Sequence, residues 1–484
     1  MAKELIMEFT GQQKAFINSF VTEINNGDAA IFAGAGLSAS AGFVNWKELL
    51  RDLAEEINLN IDIEHDYITI AQYHFNKFKR GKINNKIINE FTTLNKGTRN
   101  HQILSNIGIE TFWTTNYDQL IEKSLEEDGK TVELKIRNED FSHNIKKKDA
   151  IVYKMHGDKN SPDEAVLTKD DYDTYNDKRE LFSTALRGDL LSKTFLFIGF
   201  SFDDPNLDYI MSRIKVLLKD NTPTHYCFLK KINERDFEEK EDFLYSKIKQ
   251  DLKIEDLLRY GINTVTVDEY SEITLILEEI ENRILRRNIF ISGAAAEYSP
   301  FSEELAKKII HNLSYQLAEK SYKIVSGFGL GIGSIVINGA LDYKLNSNYR
   351  NLDDLLILRP FPQIQSGAKS IKEVWTDYRQ DMISKAGIAI FLFGNKISDD
   401  KIIESNGMLE EFEICLKNKV IPIPVGATGY VSKILWDKIT SSIEDYYPLN
   451  KDLQEAISNL DEFAIGNKEI IKNIIIAINI LQKI

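Results

Sequence analysis

Several side chains spaced along the first half of this 484-residue chain could hold a phosphate, aim a hydroxyl and move a proton. Ala33-Gly34-Ala35-Gly36-Leu37-Ser38 sets two glycines and a serine where an apolar run ends. Glycines let the backbone turn tightly and approach a pyrophosphate without a Cβ in the way, and a following helix offers free N–H groups to the same anion. After Phe112-Trp113 comes Thr114-Thr115-Asn116-Tyr117-Asp118, where the Asn116 amide can donate and accept and so orient a hydroxyl or a water. After Val152-Tyr153-Lys154-Met155 comes His156-Gly157-Asp158. An imidazole titrates near pH ~6.5, which makes His156 the natural base. A fourth loop, Gly199-Phe200-Ser201-Phe202-Asp203-Asp204-Pro205-Asn206, offers Ser201 and Asn206; Asp203, Asp204 and Pro205 read equally as ligand contacts or as the start of a helix.

A second set lies in the C-terminal half. Ile289-Phe-Ile-Ser292-Gly293 runs into a loop of small residues, and Val325-Ser-Gly327-Phe-Gly329-Leu330-Gly331-Ile-Gly333 stands between a strand and a helix pattern. Such a glycine run makes an anion cradle. Arg379, in a segment that opens a helix, supplies a bidentate fork for phosphate oxygens, and Lys396 supplies a point charge. Glu411, near the start of a helix, can accept from ribose hydroxyls.

The elements that must carry these loops follow from periodicity. Residues 1–28 read as an amphipathic helix through Phe9, Phe16, Ile17, Phe20 and Ile24, whose apolar face suits either a subunit contact or its own domain. Apolar runs at 30–33, 110–115, 150–155, 193–200, 224–231 and 261–267 read as strands, residues 46–100 as largely helical, and 271–286 as a closing helix. The pattern restarts at Arg287, with strands near 289–293, 323–326, 355–358, 387–393 and 420–425 and a packed helix over 470–484. Strands alternating with helices predict parallel sheets with ligand sites at the strand carboxyl ends, where the four loops of the first set fall. The expected fold class is α/β with two Rossmann-like domains, 1–285 and 286–484.

Composition narrows the function classes. With 43% hydrophobic and 28% charged residues the chain is globular. A net charge of −14 without a Lys/Arg tract argues against nonspecific nucleic-acid binding. The N-terminus has no apolar secretory core, and no stretch nears the ~18 apolar residues of a membrane span. Cys227 and Cys415, the only cysteines, fit a reducing cytoplasm.

Taken in order, the Gly34-Ala-Gly-Leu-Ser38 loop, Thr-Thr-Asn116-Tyr-Asp118, His156-Gly157 and Gly199-Phe-Ser201 resemble the motifs of the Sir2 (sirtuin) family over residues 25–285. The resemblance implies NAD as substrate. Ala33, Gly34, Ala35, Gly36, Ser38 and Gly199 would then lie along its phosphates, Asp118 would hold the carboxamide, and Ser201 and Asn206 would border the adenosine ribose. Asn116 and His156 would be catalytic. Cleaving the nicotinamide–ribose bond builds oxocarbenium character, which calls for a placed nucleophile and a base. The family's deacylases carry a zinc held by four cysteines; two cysteines, in no C-x-x-C pair, exclude that module and imply no metal. The family's Gln is Thr115 here, a second departure, and NAD cleavage with water is the simpler reading than protein deacylation.

The glycine run at 327–333 resembles the SLOG family of Rossmann-like nucleotide sensors. The PGGxGTxxE segment of its hydrolytic relatives is replaced by Gly407-Met-Leu-Glu-Glu-Phe, which favours binding over catalysis. There Ser292, Gly293, Gly327, Gly329, Leu330, Gly331, Arg379, Lys396 and Glu411 are the expected activator contacts. The two domains together resemble the effector family of the Thoeris antiphage systems. That resemblance implies an NAD hydrolase held inactive until a cyclic ADP-ribose isomer, made by a TIR-domain partner, binds the second domain; it also implies a homotetramer or filament. A deacylase, or a nucleotide-binding scaffold without turnover, are the alternatives.

Overall fold

A computed structural model describes residues 9–92, 95–202, 205–218, 223–347, 352, 355–362, 370–448, 450–461 and 466–482. The chain separates into two compact units, one ending at Glu281 and the other beginning at Asn282.

The first unit is built on seven parallel strands: β1 (Ala29–Ala33), β2 (Thr111–Thr114), β3 (Val132–Lys135), β4 (Ala150–Lys154), β5 (Thr194–Ile198), β6 (His225–Lys230) and β7 (Ile262–Val267), in the order β3-β4-β2-β1-β5-β6-β7. Ala29–Ala33 is buried along its whole length, as a strand covered on both faces must be. From β1 the chain passes to β2 on one side and later to β5 on the other, so the carboxyl end of β1 is the point where the strand order reverses and a crevice opens. Phe32, Trp113, Phe195 and Phe197 join the core beneath it.

The first helix, Gly11–Asn26, is capped by Thr10 and ends at Gly27 in the left-handed region. It packs on its own unit: Gln12 and Gln13 donate to the Thr264 and Thr266 carbonyls of β7, and Phe16 meets Phe228 of β6. Residues 46–106 form the helices Trp46–Glu56, Tyr67–Phe78, Arg80–Phe91 and Arg99–Asn106, the first three of which share a core around Leu49, Leu50, Ile70 and Ile87.

The second unit has five parallel strands, β8 (Asn288–Ala294), β9 (Lys323–Ser326), β10 (Leu356–Leu358), β11 (Ile388–Phe393) and, after an antiparallel hairpin of β12 (Asn395–Ser398) and β13 (Lys401–Glu404), β14 (Ile421–Pro424). Their order is β10-β9-β8-β11-β14. The helix Gly466–Leu481 packs into this core through Ile470, Ile474 and Ile478. Among the described residues no helix is long and apolar enough to cross a membrane.

Sequence reading omitted β3 and the β12–β13 hairpin. Strand β3, Val-Glu-Leu-Lys, points Glu133 and Lys135 inward as a buried ion pair at 2.5 Å, so its charges hide a strand that is half core. The helix carrying Arg379 spans Ile371–Ser384, so Arg379 lies in its second half and not at its opening.

Two buried histidines fold as neutral rings. His101 Nδ1 accepts from Thr98 N at 3.2 Å, and His225 Nδ1 accepts from Phe195 N at 3.2 Å. Burial lowers each to about 4. With folded values below the unfolded one near ~6.5, their stabilising contribution is full above that pH and is lost as pH falls. Thermal unfolding followed from pH 7 to pH 5 should therefore show a falling midpoint, with each histidine costing on the order of 2 kcal/mol at pH 5. A midpoint that stays level over that range would contradict it.

Candidate functional site

The loop after β1 is pressed against the loop after β5. Gly34 N donates to Ile198 O and Gly36 N to Gly199 O, each at 2.9 Å. A Cβ on Gly34 would strike Gly199 O, one on Gly36 would lie 2.8 Å from Gly199 Cα, and Gly199 itself has φ +64° with Leu37 N against it. The glycines are thus required by two backbones in contact. Two N–H groups expected to face an anion are already spent, which corrects the simplest picture of the cradle. The helix that follows is short, Ala35–Ala39.

Asn116 is fixed across this loop. Its Nδ2 donates to Gly34 O at 3.0 Å and Ser38 Oγ at 3.1 Å, while its backbone N donates to Thr114 Oγ1, which in turn donates to Ala33 O. The amide's two hydrogens are therefore committed to the protein, and its oxygen is the end turned to other use. Asp118 accepts from Leu120 N through Oδ1 at 3.0 Å; its Oδ2 is buried and has no hydrogen-bond partner among the described residues. Ser38, Asn45, Thr115, Asn116 and Asp118 form the polar side of one pocket, which Ala35 also lines. Its apolar side is Phe43, Val44, Trp46, Leu49, Phe91 and Tyr117. Sequence reading missed that wall, for which the aromatics just after the Ser-Ala-Gly turn were the only signal.

His156 leaves the sheet one strand away. Thr114 of β2 is in register with Lys154 of β4, so the segments bearing Asn116 and His156 emerge side by side. His156 is buried, with its ring edge-on to Tyr172 at 5.6 Å and to Tyr175 at 6.3 Å, and its carbonyl accepts from Val166 N. It does not line the pocket that holds Asn116 and Asp118. Ser201 is exposed beyond Gly199, and its carbonyl accepts from Lys253 Nζ at 2.8 Å. Asp203, Asp204 and the Asn206 side chain lie outside the described residues.

What joins the two catalytic-type loops is Lys154, a residue passed over in the sequence as part of a strand. Fully buried, its Nζ donates to the Asp118 carbonyl, to Glu122 Oε1 at 3.1 Å and to Asp158 Oδ2 at 2.5 Å. Burial opposes its charge, but the Glu122 and Asp158 carboxylates outweigh it and hold Lys154 above its ordinary value. Burial likewise raises Glu122, against the pull of Lys154. Asp158 also accepts from Asn160 N and Gln119 Nε2, and Lys159 N donates to Tyr117 O, so the 114–119 and 156–160 loops are laced together.

The second unit repeats the glycine device. Cβ atoms on Gly329 and Gly331 would strike the Gly293 and Ala295 carbonyls, and one on Gly327 would lie 2.7 Å from the Phe361 ring. Phe361 stacks under the Arg379 guanidinium at 5.1 Å. Arg379 is paired with Glu410 at 2.9 Å and with Glu411 at 3.4 Å, and Glu411 accepts from Ser292 Oγ at 2.6 Å. Burial raises Glu411, with Ser292 and Arg379 opposing. Ser292, Gly293, Gly327, Gly329, Gly331, Arg379 and Glu411 are thus one cluster, in which Arg379 and Glu411 engage each other and not open space. Leu330 is exposed on the glycine run. Lys396 is half-buried on β12 and shares no hydrogen bond or ion pair with the cluster among the described residues.

The profile of the Sir2- and TIR-associating SLOG family matches residues 272–482, and that of the SIR2-like domain matches residues 110–253. A Cytobacillus dafuensis protein named NAD(+) hydrolase ThsA is 45% identical over 478 residues, 97% of each chain. The protein of that name from Bacillus cereus (strain MSX-D12) is 46% identical over 471 residues, covering 96% of this chain and 98% of its own. Defense-associated sirtuin 2 of Bacillus subtilis is 25% identical over 230 residues, 45% of this chain and 22% of its own.

Replacing Lys154 by Met keeps most of the volume but leaves Glu122 and Asp158 buried without a cation. Lys154→Met should destabilise the first unit by about 3–5 kcal/mol in denaturant unfolding. A loss below about 1 kcal/mol would remove the pair from its central position.

Proposed function

We propose that this chain, which belongs to the ThsA family of NAD(+) hydrolases, cleaves NAD+ to nicotinamide and ADP-ribose at the first site under control of the second. The observation that carries the reading is the fixed Asn116 amide, committed through both hydrogens to Gly34 O and Ser38 Oγ in the lining of a pocket with a polar and an aromatic side.

In this reading the NAD phosphates follow Gly34, Ala35, Gly36 and Ser38, and the nicotinamide enters the pocket. The buried Asp118 Oδ2 accepts from its carboxamide, and the aromatic wall covers the ring. Asn116 turns its oxygen to the attacking water or to a ribose hydroxyl. As the glycosidic bond lengthens, positive charge gathers on the ribose, and His156, on the adjacent loop outside the pocket, takes the proton released by the nucleophile through an intervening ribose hydroxyl or water. Ser201 and Asn206 border the adenosine ribose. Excess hydrolysis depletes the cell's NAD and serves antiphage defence in the cytoplasm.

The second unit senses a cyclic ADP-ribose isomer supplied by a TIR-domain partner, using Ser292, Gly293, Gly327, Gly329, Leu330, Gly331, Arg379, Lys396 and Glu411. A ligand can switch the first site only by binding one global state better than the other. A homotetramer or filament supplies the two states.

Nicotinamide release measured with NAD+ alone, with a panel of cyclic ADP-ribose isomers, and with an acyl-lysine peptide tests the reading. Release is expected to rise with one isomer and to ignore the peptide. Asn116→Ala and His156→Ala should each lower it by about 100-fold or more. Dependence on the peptide would make the protein a deacylase, and binding without release would make it a scaffold.

A further inference from the structure

We infer that Glu410 is a specificity-determining residue of the second site: its carboxylate occupies Arg379 in place of a ligand phosphate, so that only a ligand with enough negative charge to displace it is admitted. The inference rests on the proposed role of Arg379 as the anchor of an anionic nucleotide.

The Arg379 side chain is only 12% exposed, held by Phe361 on one face. Nη1 is committed to Glu410 Oε2 at 2.9 Å and Nε to Glu411 Oε1 at 3.4 Å. The two carboxylates are not equivalent. Glu411 is buried and tied back to β8 through Ser292 Oγ at 2.6 Å. Glu410 is more open, with its side chain 37% exposed, and is steadied by Thr376 Oγ1 at 2.6 Å from the helix that carries Arg379. Glu411 is thus part of the wall and Glu410 the group able to swing out to solvent.

Guanidinium–phosphate and guanidinium–carboxylate pairs use the same fork, so an incoming phosphate and Glu410 compete for the same N–H groups. A phosphate beside an undisplaced Glu410 also meets like-charge repulsion in a poorly solvated site. Neutral nucleosides have no charge to exchange for Glu410 and so gain nothing from Arg379, with or without that carboxylate. Specificity of this kind is built as much by an obstacle to weak ligands as by attraction to the right one.

Calorimetric titration of the full-length protein with each cyclic ADP-ribose isomer, with ADP-ribose, with inorganic pyrophosphate and with adenosine tests this. In Glu410→Gln the anionic probes that bind the native protein should bind about tenfold tighter, adenosine should be unchanged, and the half-activating concentration of the activating isomer should fall in parallel. Thr376→Val, which only loosens Glu410, should move the same probes in the same direction by a few-fold; it serves alone if Glu410→Gln does not fold. Anionic probes that bind no tighter in either variant would overturn the inference. Arg379→Gln separates this from the underlying reading. Loss of binding and activation there with no gain in Glu410→Gln defeats only the competition; unaltered binding there removes Arg379 from the site.

Discussion

A buried lysine cation sets the geometry of the first unit. Taking Lys154 out of water costs several kcal/mol unless its charge is met in place, and Glu122, Asp158 and the Asp118 carbonyl meet it. Because these partners come from the segment after β2 and from the loop after β4, the cation can be satisfied only when both loops are in position. Removing water from the network also makes each interaction stronger and less tolerant of displacement. The Asn116 and His156 segments are therefore held in place before any substrate arrives, which is the condition under which placement lowers a barrier.

Close backbone approach is the second constraint, and it recurs in both units. At the end of β1, Gly34 and Gly36 meet Gly199; at the end of β8, Gly293 and Ala295 meet Gly329 and Gly331. In each unit two loops at a strand end are packed so tightly that a Cβ has no room. Some N–H groups that an isolated glycine loop would offer to an anion are consumed in this contact. The loops buy rigidity at the mouth of the crevice with part of their binding capacity, leaving side chains to complete the site.

The two sites treat their charges in opposite ways. In the first unit the cation is internal, and the pocket presents the Asn116 amide and an Asp118 carboxylate oxygen that has no hydrogen-bond partner among the described residues. In the second, the cation best suited to a phosphate is already met by two carboxylates. The first arrangement suits a substrate that must be oriented. The second suits a ligand that must compete for its place, and whose binding then releases an acidic group on a neighbouring helix.

Much was legible in the sequence. Continuous apolar runs marked β1, β5 and β11, because strands covered on both faces need no polar side, and the loops at the strand ends displayed Gly34, Asn116, His156 and Gly327 in order. The chemistry of residue types and the order of motifs thus sufficed for the fold class, while the structure set Lys396 apart from the second cluster and His156 outside the pocket of Asn116. Strand β3 escaped because Glu133 and Lys135 neutralise each other inside, so its polar letters conceal a core position. Lys154 escaped for the same reason: a lysine reads as solvated until its partners are known, and Glu122 lies 32 positions away. Only the tertiary structure could decide which charges are paired, which N–H groups are spent and which side chains wall the pocket. Those outcomes depend on distances between segments remote in the chain, whereas a sequence pattern reports the local period of burial and no more.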